Sequence, residues 1–194
     1  MFMRILSAVT ALLLFIVQST SAKSADSTSE LDPKCPAGTY SGFEWQFDIP
    51  SKKFIEKMGS FHDLDWYFGP LDSTTGTDNT IGATRTGKYS GTTFRERLVE
   101  YSLSASGADL TMGVVQDTPG YNIVFQGIEW VSYLERFSVQ SICGGRAAHI
   151  SFTAVYCVTD TDTAYDLYEK LRQGAIGALA DKLGARLFAG SCEF

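Results

Sequence analysis

"IGATRTGKYSGTTFRERLVEYS", from Ile81 to Ser102, is the stretch on which the fold turns. The Tyr89-Ser90-Gly91 turn splits it into two runs suited to strands, which predicts a hairpin. Strict alternation along the second run places Phe94, Glu96, Leu98 and Glu100 on one face. Arg95, Arg97, Val99 and Tyr101 fall on the other. An ordinary half-buried strand has one apolar face and one wet face. Here both faces mix apolar and charged side chains, so the sheet must tolerate a charge on its inner side.

Strand texture continues outward from this hairpin. "GFEWQFDI" (Gly42 to Ile49) alternates Phe43, Trp45, Phe47 and Ile49 against polar residues and predicts a strand ended by Pro50. Ser51 is a candidate cap for a short helix carrying Phe54, Ile55 and Met58. "SFHDLDWYFGPLD" (Ser60 to Asp72) reads as a second short helix or turn. Further strands are expected over 81–88, 93–102, 109–115, 123–130 running into 131–142, and 149–159, with turns at 104–107, 117–120 and Gly144-Gly145. Thr163 then opens a long helix, with Asp166 as capping-box partner and a stripe of Tyr168, Leu171, Ala175, Leu179 and Leu183. Gly174 and Gly177 within it point to a close approach by whatever lies beneath. A meander of this order makes a core by curling around the last helix. The space between sheet and helix becomes a pocket, and a charged group on its wall is satisfied by ligand or water.

The first 22 residues stand apart. Arg4, a 13-residue largely apolar run from Ile5 to Val17, and small residues at Thr20 and Ala22 have the layout of a cleavable secretory signal peptide. The expected organisation is a signal peptide over 1–22, a polar arm over 23–41 and one domain over 42–194. No later stretch is apolar enough to cross a bilayer, so stable membrane insertion is not expected. Removal of Arg4 would take the net charge from −6 to −7, which argues against nucleic acid and anionic membrane as partners. Cys35, Cys143, Cys157 and Cys192 lack metal-ligand spacing, so an even count in a secreted chain reads as two disulfides and no metal site.

Taken in order, these features resemble the START-like superfamily, and within it the polyketide cyclase/dehydrase-like group related to the birch-pollen allergens. The resemblance runs from Phe43 to about Leu187: the first strand before Pro50, "FHDLDW" ending in Trp66, "IGATRT", "RERLVEY", an aromatic strand around Trp130, "HISF" at His149 to Phe152, and the terminal helix. It implies an α+β helix-grip fold, a curved antiparallel sheet of about seven strands wrapped around a long C-terminal helix, with two short helices after the first strand. It also implies that Glu96 faces the cavity, that Trp130 points inward with Ser132 next on that face, and that Ile150, Phe152, Ala154 and Tyr156 face the helix. In that fold Cys143 and Cys157 lie too far apart to bond, and the implied bridges are Cys35–Cys157 and Cys143–Cys192. The chain departs from the group in carrying a signal peptide and four cysteines, and Lys88 to Gly91 does not match the gate of the plant hormone receptors.

The chemistry is less legible. G-x-S-x-G, P-loop, G-x-G-x-x-G and H-E-x-x-H motifs are all missing. His62, beside Asp63 and Asp65, invites an acid–base role but is explained more simply by a polar surface helix or turn, and His149 opens a strand beside a turn. Glu96 is either an anchor or base inside the pocket or the partner of Arg85 or Arg97 at a strand edge. Trp130, Phe152, Tyr156, Trp45 and Tyr168 are either a ligand-contacting set or plain core. The expectation is a secreted, monomeric binding or carrier protein for a small hydrophobic ligand (lipid, sterol or polyketide-like), needing no cofactor. Its candidate contacts are Glu96, Trp130, Ser132, Phe152, Tyr156 and Tyr168. The alternatives are a cyclase or dehydratase with Glu96 as general base, and an interaction protein whose pocket has closed.

Overall fold

The structure, a computed structural model, describes Cys35, residues 37–117 and residues 123–193. The expected signal peptide, most of the arm and the 118–120 part of one turn lie outside the described residues. The element order is β1 (Gly38–Phe47), α1 (Ser51–Met58), β2 (Ser73–Thr75), β3 (Thr84–Tyr89), β4 (Thr92–Leu103), β5 (Leu110–Gln116), β6 (Ile123–Phe125), β7 (Ile128–Ile142), β8 (Ala147–Val158) and α2 (Thr161–Leu183). The strands form one antiparallel sheet ordered β1-β8-β7-β5-β4-β3-β2, with β6 paired to β7. This is the expected helix-grip arrangement of a curved sheet and a long C-terminal helix.

Four details differ from the sequence-based expectation. Eight strands replace about seven: the 123–142 segment breaks at Gln126-Gly127, whose φ values of 49° and 82° make a two-residue hairpin, and the short β2 pairs with β3. Only α1 follows β1 as a helix, because residues 61–68 make successive turns around the Leu64 carbonyl, which accepts from the amides of Tyr67, Phe68 and Gly69. Ser51 is not a cap; its hydroxyl donates to the Ala108 carbonyl, 2.6 Å away, and ties α1 to the turn before β5. α2 begins two residues early, capped by Asp160, whose carboxylate accepts from the Thr163 amide.

The buried side of α2 also differs. Ala164, Tyr168, Arg172, Ile176, Leu179 and Ala180 are buried, whereas Leu171, Ala175 and Leu183 are only half so. The expected stripe is thus rotated to admit an arginine. Gly174 and Gly177 are exposed, and a Cβ on either would meet nothing within 4 Å, so no close approach accounts for them.

Two β-bulges decide which residues face inward. Along β4, Leu98 pairs with Val114 and Glu100 with Gly113, leaving Val99 as an extra residue. Phe94, Glu96 and Leu98 point in before it, but after it Tyr101 packs on the core and Glu100 turns out to Arg136 at 2.9 Å. Gly113 makes room: a Cβ there would stand 3.0 Å from that of Glu100. The mixed alternation along β4 is this reversal of faces, plus the one inward charge of Glu96. The second bulge, at Val131, lies between the pairs Trp130–Val158 and Ser132–Cys157 and does the same to β7.

The core has two ends. Around Phe54, Met58, Phe61, Leu98, Val139, Phe152 and the C-terminal half of α2 it is apolar and continuous. Around Phe94, Phe125, Trp130, Tyr156 and Tyr168 it is aromatic and opens into a pocket. Disulfides Cys35–Cys157 and Cys143–Cys192 are both present, with Cα separations of 5.4 and 5.3 Å.

Candidate functional site

The site starts from a register pair. Arg85 on β3 stands directly across from Glu96 on β4, and both are buried. Arg85 Nε donates to Glu96 Oε2 at 2.6 Å, and Nη2 lies 2.6 Å from the same oxygen. Arg85 Nη1 donates to the Phe61 carbonyl at 3.0 Å, with the guanidinium 4.5 Å from the centre of the Phe61 ring. The other carboxylate oxygen accepts from the Tyr133 hydroxyl at 2.8 Å. Burial, and then the negative charge of Glu96, hold that hydroxyl well above the ordinary tyrosine range. Tyr133 therefore acts here as a donor.

A second pair closes the same space from the helix. Tyr168 and Arg172, one turn apart on α2, share a face and both reach Glu135 on β7. The Tyr168 hydroxyl donates to Glu135 Oε2, and Arg172 Nη2 meets the same oxygen. The Arg172 guanidinium lies over the rings of Tyr67 and Tyr168, at 4.4 and 4.0 Å from their centroids. Burial pushes the Glu135 carboxyl up to about 8, and the nearby charge of Glu96 adds to this, against the opposing effects of Tyr168 and Arg85. Burial also draws Arg172 well below the arginine range. Both shifts favour the neutral forms, as expected where two ions are taken out of water together.

Between these pairs lies a partly open pocket of about 90 Å³. Phe94, Ile123, Phe125 and Trp130 form its apolar wall, Phe68, Tyr89 and Leu171 are its half-buried margin, and Glu96, Tyr133, Glu135, Tyr168 and Arg172 are its polar side. Of the residues expected from sequence, Glu96, Trp130 and Tyr168 line it together. Ser132, Phe152 and Tyr156 do not. The Val131 bulge puts Ser132 opposite Cys157 and gives its inward place to Tyr133. Tyr156, fully buried, lies behind Trp130 and Tyr168, with ring centroids 5.2 and 5.6 Å away. Phe152 belongs to the other, apolar end of the core, stacked on Phe137.

Sequence reasoning missed Tyr133, Glu135 and Arg172, and it held Arg85 only as an edge partner. A usable signal existed on α2: Ala164, Tyr168, Arg172 and Ile176 recur every four residues, a spacing that ignores whether the side chain is charged. The histidines lie elsewhere. His62 packs on Phe61 and faces Asp78, its Nδ1 3.9 Å from the carboxylate, while His149 sits 3.5 Å from Glu44 across β1 and β8. Among the described residues no cluster of His, Cys, Asp and Glu is arranged to hold a metal, and no helix is long and apolar enough to cross a membrane.

No protein-family model and no curated protein sequence matches the chain. Solved structures do. A structural-genomics protein from Nitrosospira multiformis is 18% identical, with a TM-score of 0.53 over 75% of this chain and 95% of that one. XoxI from Bacillus cereus is 14% identical, with a TM-score of 0.53 over 74% of this chain and 94% of its own. Ara h 8.0201 is 10% identical, again with a TM-score of 0.53, over 75% of this chain and 97% of its own. Identities this low speak to architecture and leave activity open. On the sheet order, the gripping helix and these likenesses together, the chain has the helix-grip fold of the START-like, birch-pollen-allergen type.

Proposed function

We propose that this chain is a secreted binding or carrier protein for a small, mainly hydrophobic ligand held between the sheet and α2. The observation that carries the proposal is the pocket itself: an aromatic wall facing a polar side whose charges are already paired within the protein. Such a mixture of apolar surface and a few placed polar groups is the usual composition of a small-molecule site. Secretion is supported by the leader-like first 22 residues and by the two disulfides. The pocket, of about 90 Å³, is partly open. A lipid, sterol or polyketide-like ligand would therefore bury one end there and leave its body along the half-buried margin.

Native mass spectrometry of the protein purified from its own secretions tests this. A reproducible extra mass of a few hundred daltons, lost on denaturation, is the expected result. A bare polypeptide mass would count against a carrier.

A second reading, an enzyme of the cyclase or dehydratase kind, is favoured by one observation: a carboxyl pushed up to about 8 beside the pocket. That group is Glu135, while both oxygens of Glu96 are already engaged by Arg85 and Tyr133. Glu135→Gln should then abolish turnover while ligand binding survives. In a carrier the same change alters affinity alone.

A further inference from the structure

Two of the residues that line the pocket each carry a buried N–H donor without a partner. Trp130 is 8% exposed and its indole Nε1 has none; Arg172 is 5% exposed and its Nε has none, although its Nη2 reaches Glu135. A buried N–H without an acceptor is costly and uncommon in a folded protein. The carboxylates on the same wall are in the opposite condition. Glu96 accepts from Arg85 and Tyr133, and Glu135 accepts from Tyr168 while meeting Arg172. The unmet capacity of this site is therefore for an acceptor.

We infer that the ligand enters the pocket with a hydrogen-bond acceptor leading, a carbonyl or related oxygen group received by Trp130 Nε1 and Arg172 Nε, and that its apolar body rests on the aromatic margin. The inference deepens the ligand-binding reading above and rests on it. It moves the anchoring role from Glu96, the anchor considered from the sequence, to Trp130 and Arg172. The dimensions agree: a pocket of about 90 Å³ takes a carbonyl and its neighbouring carbons, with Phe68, Tyr89 and Leu171 left to cover the remainder of the ligand. Buried water could fill the same place, and the test separates the two.

Three probes of one shape decide it: ethylbenzene, acetophenone and 1-phenylethylammonium, which offer no polar group, an acceptor and donors respectively. Each is titrated into the 15N-labelled protein, and the indole N–H signal of Trp130, one of three tryptophans, is assigned by its loss in Trp130→Phe. Acetophenone should bind roughly tenfold more tightly than ethylbenzene, the worth of one net hydrogen bond. It should also move the Trp130 indole signal, and Trp130→Phe should erase the preference. The ammonium should bind no better than ethylbenzene. Equal binding of ketone and hydrocarbon would overturn the inference, leaving water as the partner of both donors, and tightest binding by the ammonium would overturn it in favour of the carboxylates. The ranking in the unaltered protein stands without the variant. Failure of all three to bind would instead overturn the ligand-binding reading, and this inference with it.

Discussion

At the scale of single residues, the feature that most constrains this protein is the burial of four ionisable side chains, Arg85 against Glu96 and Arg172 against Glu135. Arg85 and Glu96 are 5% and 4% exposed, so removing one partner strands the other in a medium of low polarity. Arg85→Met should cost about 3–5 kcal/mol by urea unfolding. Arg85→Met combined with Glu96→Gln should recover a large part of that, because glutamine still accepts from Tyr133 without a buried charge. Glu135 sets the pH response. Its carboxyl is pushed up from 4.5 to about 8 in the folded protein. Between those values the folded chain holds a proton that the unfolded chain has lost. Its contribution to stability is therefore complete below pH 4.5 and is lost as pH rises through about 8. Urea midpoints taken from pH 5 to pH 9 should fall across that interval, and Glu135→Gln should flatten the slope.

At the scale of elements, α2 carries two correctable weaknesses. Gly174 and Gly177 are helical, exposed and free of neighbours, so each lowers helix stability by about 1 kcal/mol relative to alanine. Gly174→Ala and Gly177→Ala should each raise Tm by about 2–4 °C in a domain of this size, with no change in ligand affinity. A lower Tm would mean that the helix surface has a partner. β4 and β7 show a different principle. Each carries one extra residue, Val99 or Val131, that exchanges the faces of everything beyond it. Alternation counted along the sequence is correct up to each bulge and inverted after it. Phe94 and Glu96 were legible for that reason; Tyr101 and Tyr133 were not.

At the scale of the whole molecule, two disulfides tie the segments before β1 and after α2 to the sheet. Cys35–Cys157 closes 122 residues and Cys143–Cys192 closes 49. In the chain-entropy account these correspond to about 5 and about 4 kcal/mol, with engineered cases commonly giving less. The second bridge fastens the segment after α2, where the Arg186 carbonyl accepts from the Asp48 amide and the Phe188 amide donates to the Gln46 carbonyl. Replacing Cys143 and Cys192 together by serine should cost about 2–4 kcal/mol. The Phe188 amide should then exchange with solvent much faster than amides of β7. Unchanged exchange would show that the tail is held by its hydrogen bonds alone.

The sequence by itself determined the gross architecture: a strand-rich middle, a long terminal helix, turns at glycine-marked points and an even number of cysteines. These features arise from periodicity and local backbone preference, which act over a few residues and survive in any context. It also singled out Glu96, since a charge between Phe94 and Leu98 on a strand has to be accommodated somewhere. Only the tertiary structure decided how. That Arg85 answers Glu96 depends on the β3–β4 register, and that Arg172 answers Glu135 depends on which turn of α2 crosses β7. An arginine in isolation reads as surface because leaving water is costly; it becomes an inward residue only where folding delivers a carboxylate and aromatic faces to receive it.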